Sequence, residues 1–125
     1  MPTNNIPAAN SHLIDLTTAS ALTSTFRSNR NSVLQTQFQS QDMLPLSETF
    51  NRNDIELLLA QDNCEALRIY YGMDTNLQLH AVLVAVNEEN EDILPSTFLD
   101  NGEDIIVEEG QRCPIICPPA SPLNS

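Results

Sequence analysis

The chain contains no lysine; all five of its basic residues are arginine, at positions 27, 30, 52, 68 and 112. It has no tryptophan, only four Phe and two Tyr, and just three glycines in 125 residues. Scarce glycine removes the usual scaffold for phosphate and dinucleotide binding, a glycine-rich loop whose backbone can approach the ligand closely. No Ser-His-Asp signature and no His-Glu-x-x-His element occurs, so the common hydrolase and zinc-peptidase patterns are absent. Long apolar runs are also missing. The strongest, Ala81 to Val86, is far too short to span a bilayer. The opening Met1-Pro2-Thr3-Asn4-Asn5 has neither the basic nor the apolar segment of an export signal. The reading predicts no membrane association and a cytoplasmic location.

What is abundant is carboxylate. The chain carries 17 Asp and Glu and a formal charge of −12. Residues 1–53 balance three carboxylates against three arginines, so the whole excess lies from Asp54 onward, where fourteen carboxylates face two arginines. Such a field repels nucleic-acid phosphates and anionic membranes. It excludes direct nucleic-acid binding and leaves two readings: a surface that serves solubility, or a docking face for a basic protein partner.

Length fits one domain able to bury a core without metal or disulfides. Residues 1–12 read as a disordered lead-in, residues 13–112 as a single α+β domain with a weakly ordered connector at 35–49, and residues 113–125, with four prolines, as a Pro-rich tail. Leu16, Ala19, Leu22, Phe26 and Val33 recur at helical spacing and predict a first helix, although the Ser, Thr and Asn between them make it dependent on packing. The connector, with four glutamines and Pro45, is assigned no element. Asn51 is a good N-cap, followed by Asp54 in the capping-box position, so a second helix starts near Arg52 with Ile55, Leu58 and Leu59 as its buried stripe. A hairpin follows. Leu67, Ile69 and Tyr71 alternate with Arg68 and Tyr70, the turn lies at residues 72–76, and the next strand is apolar on both faces in its later half, which marks it as central. Ile93-Leu94 supplies a short return strand, and Ile105-Ile106-Val107 an edge strand. The predicted fold class is α+β, two helices packed on a small antiparallel β-sheet with disordered termini.

The residues able to carry chemistry are few. Cys113 and Cys117 enclose Pro114-Ile115-Ile116, near enough to chelate a metal or close a small disulfide loop. Structural zinc usually needs four ligands, and the further donors would be Cys64, His80 and His12. In the competing reading Cys64 and Cys113 simply fill small apolar spaces. Three cysteines without an export signal also point to a reducing compartment, in which the tail pair stays reduced. His80 is expected mid-strand, where a general base would need an orienting group and a cleft that the sequence does not reveal, and Arg68 on the adjacent strand can pair with a nearby carboxylate. Glu88, Glu89, Glu91 and Asp92 lack the spacing of a calcium loop and read as a solvated turn.

The succession Asp54-Ile55-Glu56-Leu57-Leu58-Leu59-Ala60-Gln61, then Cys64, then Leu67-Arg68-Ile69-Tyr70-Tyr71-Gly72 resembles a family of small uncharacterised bacterial proteins. In that family a helix leads into Gly-Cys-x-Gly-Ile-Arg-Ile-Tyr, a turn, a Leu/Val strand, an acidic turn and a terminal Cys-Pro-Pro-x-Cys. The resemblance covers about residues 50 to 117. The chain departs from it at Asn63 and Ala66, where glycines would fall, and at Ile115, where the second proline would fall. It implies a recurring fold and a bacterial cytosolic setting and supplies no function; no cofactor is expected. The functional expectation, drawn from the charge asymmetry, is a non-enzymatic acidic interaction or accessory protein. Its interacting residues would be the acidic half or the sheet face bearing Arg68, Tyr70 and His80. The alternatives are a thiol-based metal or redox site using Cys64, Cys113 and Cys117, and an acidic inhibitor mimicking a nucleic-acid backbone.

Overall fold

A computed structural model of the chain describes residues 6–94 and 106–124. Its elements, in order, are α1 (Leu16–Asn29), a 3-10 turn (Thr36–Phe38), β1 (Ser47–Thr49), α2 (Arg52–Leu59), β2 (Ala66–Met73), β3 (Leu79–Val86), β4 (Asp92–Ile93), β5 (Ile106–Val107) and β6 (Gln111–Cys113). Two helices with antiparallel strands make the fold α+β. None of the described helices is long and apolar enough to cross a membrane. The chain divides into two compact units, one drawn from Met1–Ala8, Phe50–Gly72 and His80–Gly110, the other from Ala9–Thr49, Met73–Leu79 and Gln111–Ser125.

In the first unit α2 starts where the sequence places it. The Asn51 side chain accepts the Asn53 N–H at 2.8 Å, satisfying one of the orphan donors of the first turn. Leu58 is fully buried and forms the core with Leu83, Ala85 and Val107, against which Phe50, Ile55, Cys64, Ala81 and Ile93 pack. Leu59, expected in the buried stripe, is exposed, as is Leu57. An eight-residue helix spans only about 12 Å and offers one narrow stripe to the sheet.

The four-stranded sheet runs β2-β3-β4, with β5 also paired to β3. Antiparallel pairing sets Ala85 opposite Ile93 and Val86 opposite Asp92 on β4, and Leu83 opposite Val107 on β5. The centrality expected of β3 follows, and its residues 83–86 are buried on both faces. A Cβ placed on Gly72 would lie 3.7 Å from Val82 Cγ2. Gly72, and with it Tyr70 and Arg68, therefore shares a face with Val82, while strand alternation sends Leu67, Ile69 and Tyr71 to the opposite face. These three remain 37, 46 and 75% exposed.

The second unit is held together differently. α1 is capped by Asp15, whose carboxylate accepts the Thr18 N–H at 2.7 Å, but no residue of the helix is buried. The apolar stripe expected to seat it does not do so: Leu16, Leu22 and Val33 are well exposed. The covered face instead carries Ala19, Ser20, Thr23 and Arg27. Polar anchoring explains the difference. Arg27 Nη1 donates to the Leu123 carbonyl at 2.8 Å, Arg30 Nε to the Leu44 carbonyl at 2.8 Å, and the Thr23 hydroxyl turns back onto Ala19. The connector, expected to hold no element, contains the 3-10 turn and β1, which pairs antiparallel with β6 so that Ser47 faces Cys113. Nothing in Ser47-Glu48-Thr49 alternates in hydropathy; the strand exists because its partner arrives from the far end of the chain. Met43 and Cys113 are the buried apolar residues of this unit.

Candidate functional site

The charge divides along the same lines as the fold. The segments of the first unit hold thirteen carboxylates against Arg52 and Arg68, a net of −11; those of the second hold four against Arg27, Arg30 and Arg112, a net of −1. None of the five guanidiniums is left to solvent alone. Arg27 and Arg30 bind backbone carbonyls as described, and Arg30 also reaches Asp42 at 3.4 Å. Arg112 spreads over three acceptors, the carbonyls of Leu79 (2.9 Å) and Asp42 (2.8 Å) and Gln78 Oε1 (3.4 Å). Arg52 pairs with Glu56 one helical turn on, at 2.6 Å.

Arg68 is the most heavily engaged. Its guanidinium donates to Asp92 Oδ1 and to Asn90 Oδ1, and at 3.3 Å to the Asn90 carbonyl. The Tyr70 hydroxyl donates to the second oxygen of Asp92. The hydrogen bond that Arg68 donates to Asp92 holds the guanidinium still further toward its charged form. Two of the expected interaction residues thus converge on one carboxylate. The third, His80, has Nδ1 3.2 Å from Glu108 Oε1. Sequence reasoning allowed a carboxylate partner for Arg68 without identifying it. Asp92 sits two strands away, and its position depends on the register across β3.

The turn carrying Glu88, Glu89 and Glu91 is built by Asn87. Its Oδ1 accepts the N–H groups of Glu89 (3.0 Å) and Glu91 (2.9 Å), and its backbone N–H donates to the Glu91 carbonyl at 3.0 Å. Asn90 takes the left-handed conformation, φ 67°, which asparagine tolerates better than most residues. Held this way, Glu88 and Glu89 line a cavity of about 330 Å³ together with Asn63, Glu65 and Asn87. Glu65 immediately precedes β2, and its N–H is bonded to the Val86 carbonyl at 2.8 Å. The cavity therefore lies at the end of the sheet where β2 begins.

The thiol candidates are placed as follows. Cys113 and Cys117 form a disulfide, with Cα atoms 4.7 Å apart. The closeness expected from their spacing is realised, but as a bridge rather than as the reduced pair anticipated. Cys113 is buried and Cys117 exposed. Cys64 is a free, half-buried thiol packed against the core, its sulfur 3.4 Å from the Ala66 carbonyl. Among the described residues no group of three or more His, Cys, Asp or Glu side chains is arranged to hold a metal ion. Compared with family models, with curated proteins and with solved structures, the chain matches none of them.

Proposed function

We propose that the chain is a non-enzymatic interaction protein whose acidic unit docks a basic protein partner. The observation that carries this reading is the segregation of charge: a net of −11 on one compact unit beside −1 on the other, with the arginines engaged inside the chain. A carboxylate-rich surface of this kind raises the local concentration of cationic partners and their association rate, an effect that fades with salt. The disulfide counts against the metal form of the thiol alternative, because two sulfurs joined to each other are not thiolates available to a metal ion. An inhibitor mimicking a nucleic-acid backbone is the special case in which the basic partner is a nucleic-acid enzyme. The test is affinity capture with the full chain and with a Glu88→Gln/Glu89→Gln/Glu91→Gln variant, followed by mass spectrometry and reconstitution with the purified partner. The expected result is a basic protein that binds the wild type, is released by salt and is lost from the variant. Partners that are acidic, or equally retained by the variant, would overturn it.

A further inference from the structure

β2 combines an edge position in the sheet with an apolar face. Among the described residues it pairs in a ladder only with β3; Ile6 and Pro7 line a cavity with Ala66, Leu67 and Arg68 at its start, and beyond them its outer edge is one that no described strand meets. Natural edges are usually blunted by lysine, proline or an inward charge. Leu67 to Tyr71 contains no proline and a single charge, Arg68, which faces the other side and is held by Asp92. Leu67, Ile69 and Tyr71 project from the remaining face with their side chains open to solvent.

We propose that this edge is the dock for an extended, lysine- or arginine-bearing segment of the basic partner, which adds a strand to β2. The inference rests on the acidic-unit reading and supplies its site. Strand addition gives affinity through main-chain hydrogen bonds and selectivity through alternate side chains, and β2 offers both. Charge selects the occupant. A second copy would bring a like-charged unit, again with Glu65, Glu88 and Glu89 beside this edge, and be repelled, whereas a cationic segment is drawn in. Glu65, adjoining the first residue of β2, and Glu88 and Glu89 across the cavity from it give the basic end of that segment its counter-charge.

The test uses the full chain and two labelled peptides, each alternating valine and threonine, one ending in three lysines and the other in three glutamates. The lysine peptide is expected to bind preferentially at low ionic strength and to slow amide hydrogen exchange across residues 67–71. Its affinity is expected to fall about tenfold or more in an Ile69→Thr/Tyr71→Thr variant, the loss typical when central apolar anchors are truncated. That variant keeps strand propensity and net charge, and circular dichroism checks its fold. Binding with unchanged exchange at 67–71, or equal binding by the variant, would overturn the β2 site while leaving the acidic-unit reading intact. No preference for lysine over glutamate would overturn both. Self-association of the chain abolished by the same variant would assign the edge to a second copy and overturn the proposal.

Discussion

Arg68 on β2 reaches past β3 to donate to Asp92 on β4, so one ion pair ties together strands that do not themselves touch in the ladder. Both side chains are largely covered, with 29 and 20% of their surface exposed, and Tyr70 donates to the same carboxylate. Replacing Asp92 by Asn removes the charge and leaves one neutral amide oxygen where Arg68 and Tyr70 shared two carboxylate oxygens, in a place that water only partly reaches. Hydrogen bonds to charged groups contribute about 1.5–3 kcal/mol. Asp92→Asn is therefore expected to lower unfolding stability by about that amount in urea titrations. Tyr70→Phe, which deletes one donor and leaves the ion pair, is expected to cost less. Equal stability of wild type and Asp92→Asn would show that the pair does not link the strands.

The same pair shows how far the sequence could be read. Local chemistry was legible: the Asn51 cap, the hairpin turn near Asp74, the centrality of β3 and the α+β class all follow from side-chain preferences within a few residues. What escaped was non-local or polar. β1 and β6 are strands only because Ser47 meets Cys113, a pairing that no hydropathy pattern encodes. The stripe of Leu16, Leu22 and Val33 predicted a seated helix face, yet α1 is anchored by Arg27 and Arg30 on carbonyls of distant segments. The absence of lysine gains a physical sense here. Arg112 serves three acceptors through three separate nitrogens, a spread that a planar five-donor fork provides at fixed geometry and an ammonium, with its three donors on one nitrogen, does not. For the candidate site, the acidic bias and Arg68 could be read directly. Asp92 as its partner, and the exposure of Ile69 and Tyr71, required the register and the short reach of α2.

The Cys113–Cys117 bridge closes a loop in the strand end that pairs with β1, where the Leu46 N–H also donates to the Cys113 carbonyl at 2.7 Å. Cross-linking across so short a loop restricts the unfolded chain only modestly, about 2 kcal/mol in the chain-entropy account. Reduction of the purified protein is expected to lower stability by about this amount. Alkylation before reduction should modify Cys64 alone after unfolding, and all three cysteines after reduction. Three reactive thiols in unreduced, unfolded protein would show that the bridge is not formed.

Asp15 provides the pH-dependent element of the fold. Its carboxylate accepts from the Thr18 side chain, the larger effect, and from the Thr18 N–H at 2.7 Å, and together these hold its pKa below the ordinary value of 3.8. The charge also complements the positive end of the α1 dipole. A lowered folded pKa means that the folded state favours the ionised form. The stabilising contribution is thus fully present above the ordinary value and is lost as the pH falls through the lowered one. Because α1 buries no residue, the loss should appear locally, as faster amide exchange in its first turn, before the core of Leu58 and Leu83 responds. Asn at the same position accepts the same bond without titrating. Asp15→Asn is therefore expected to show first-turn exchange that, once corrected for its intrinsic pH dependence, does not change over this range, while the wild type frays as acid is added. Parallel pH courses for the two proteins would remove Asp15 as the cause.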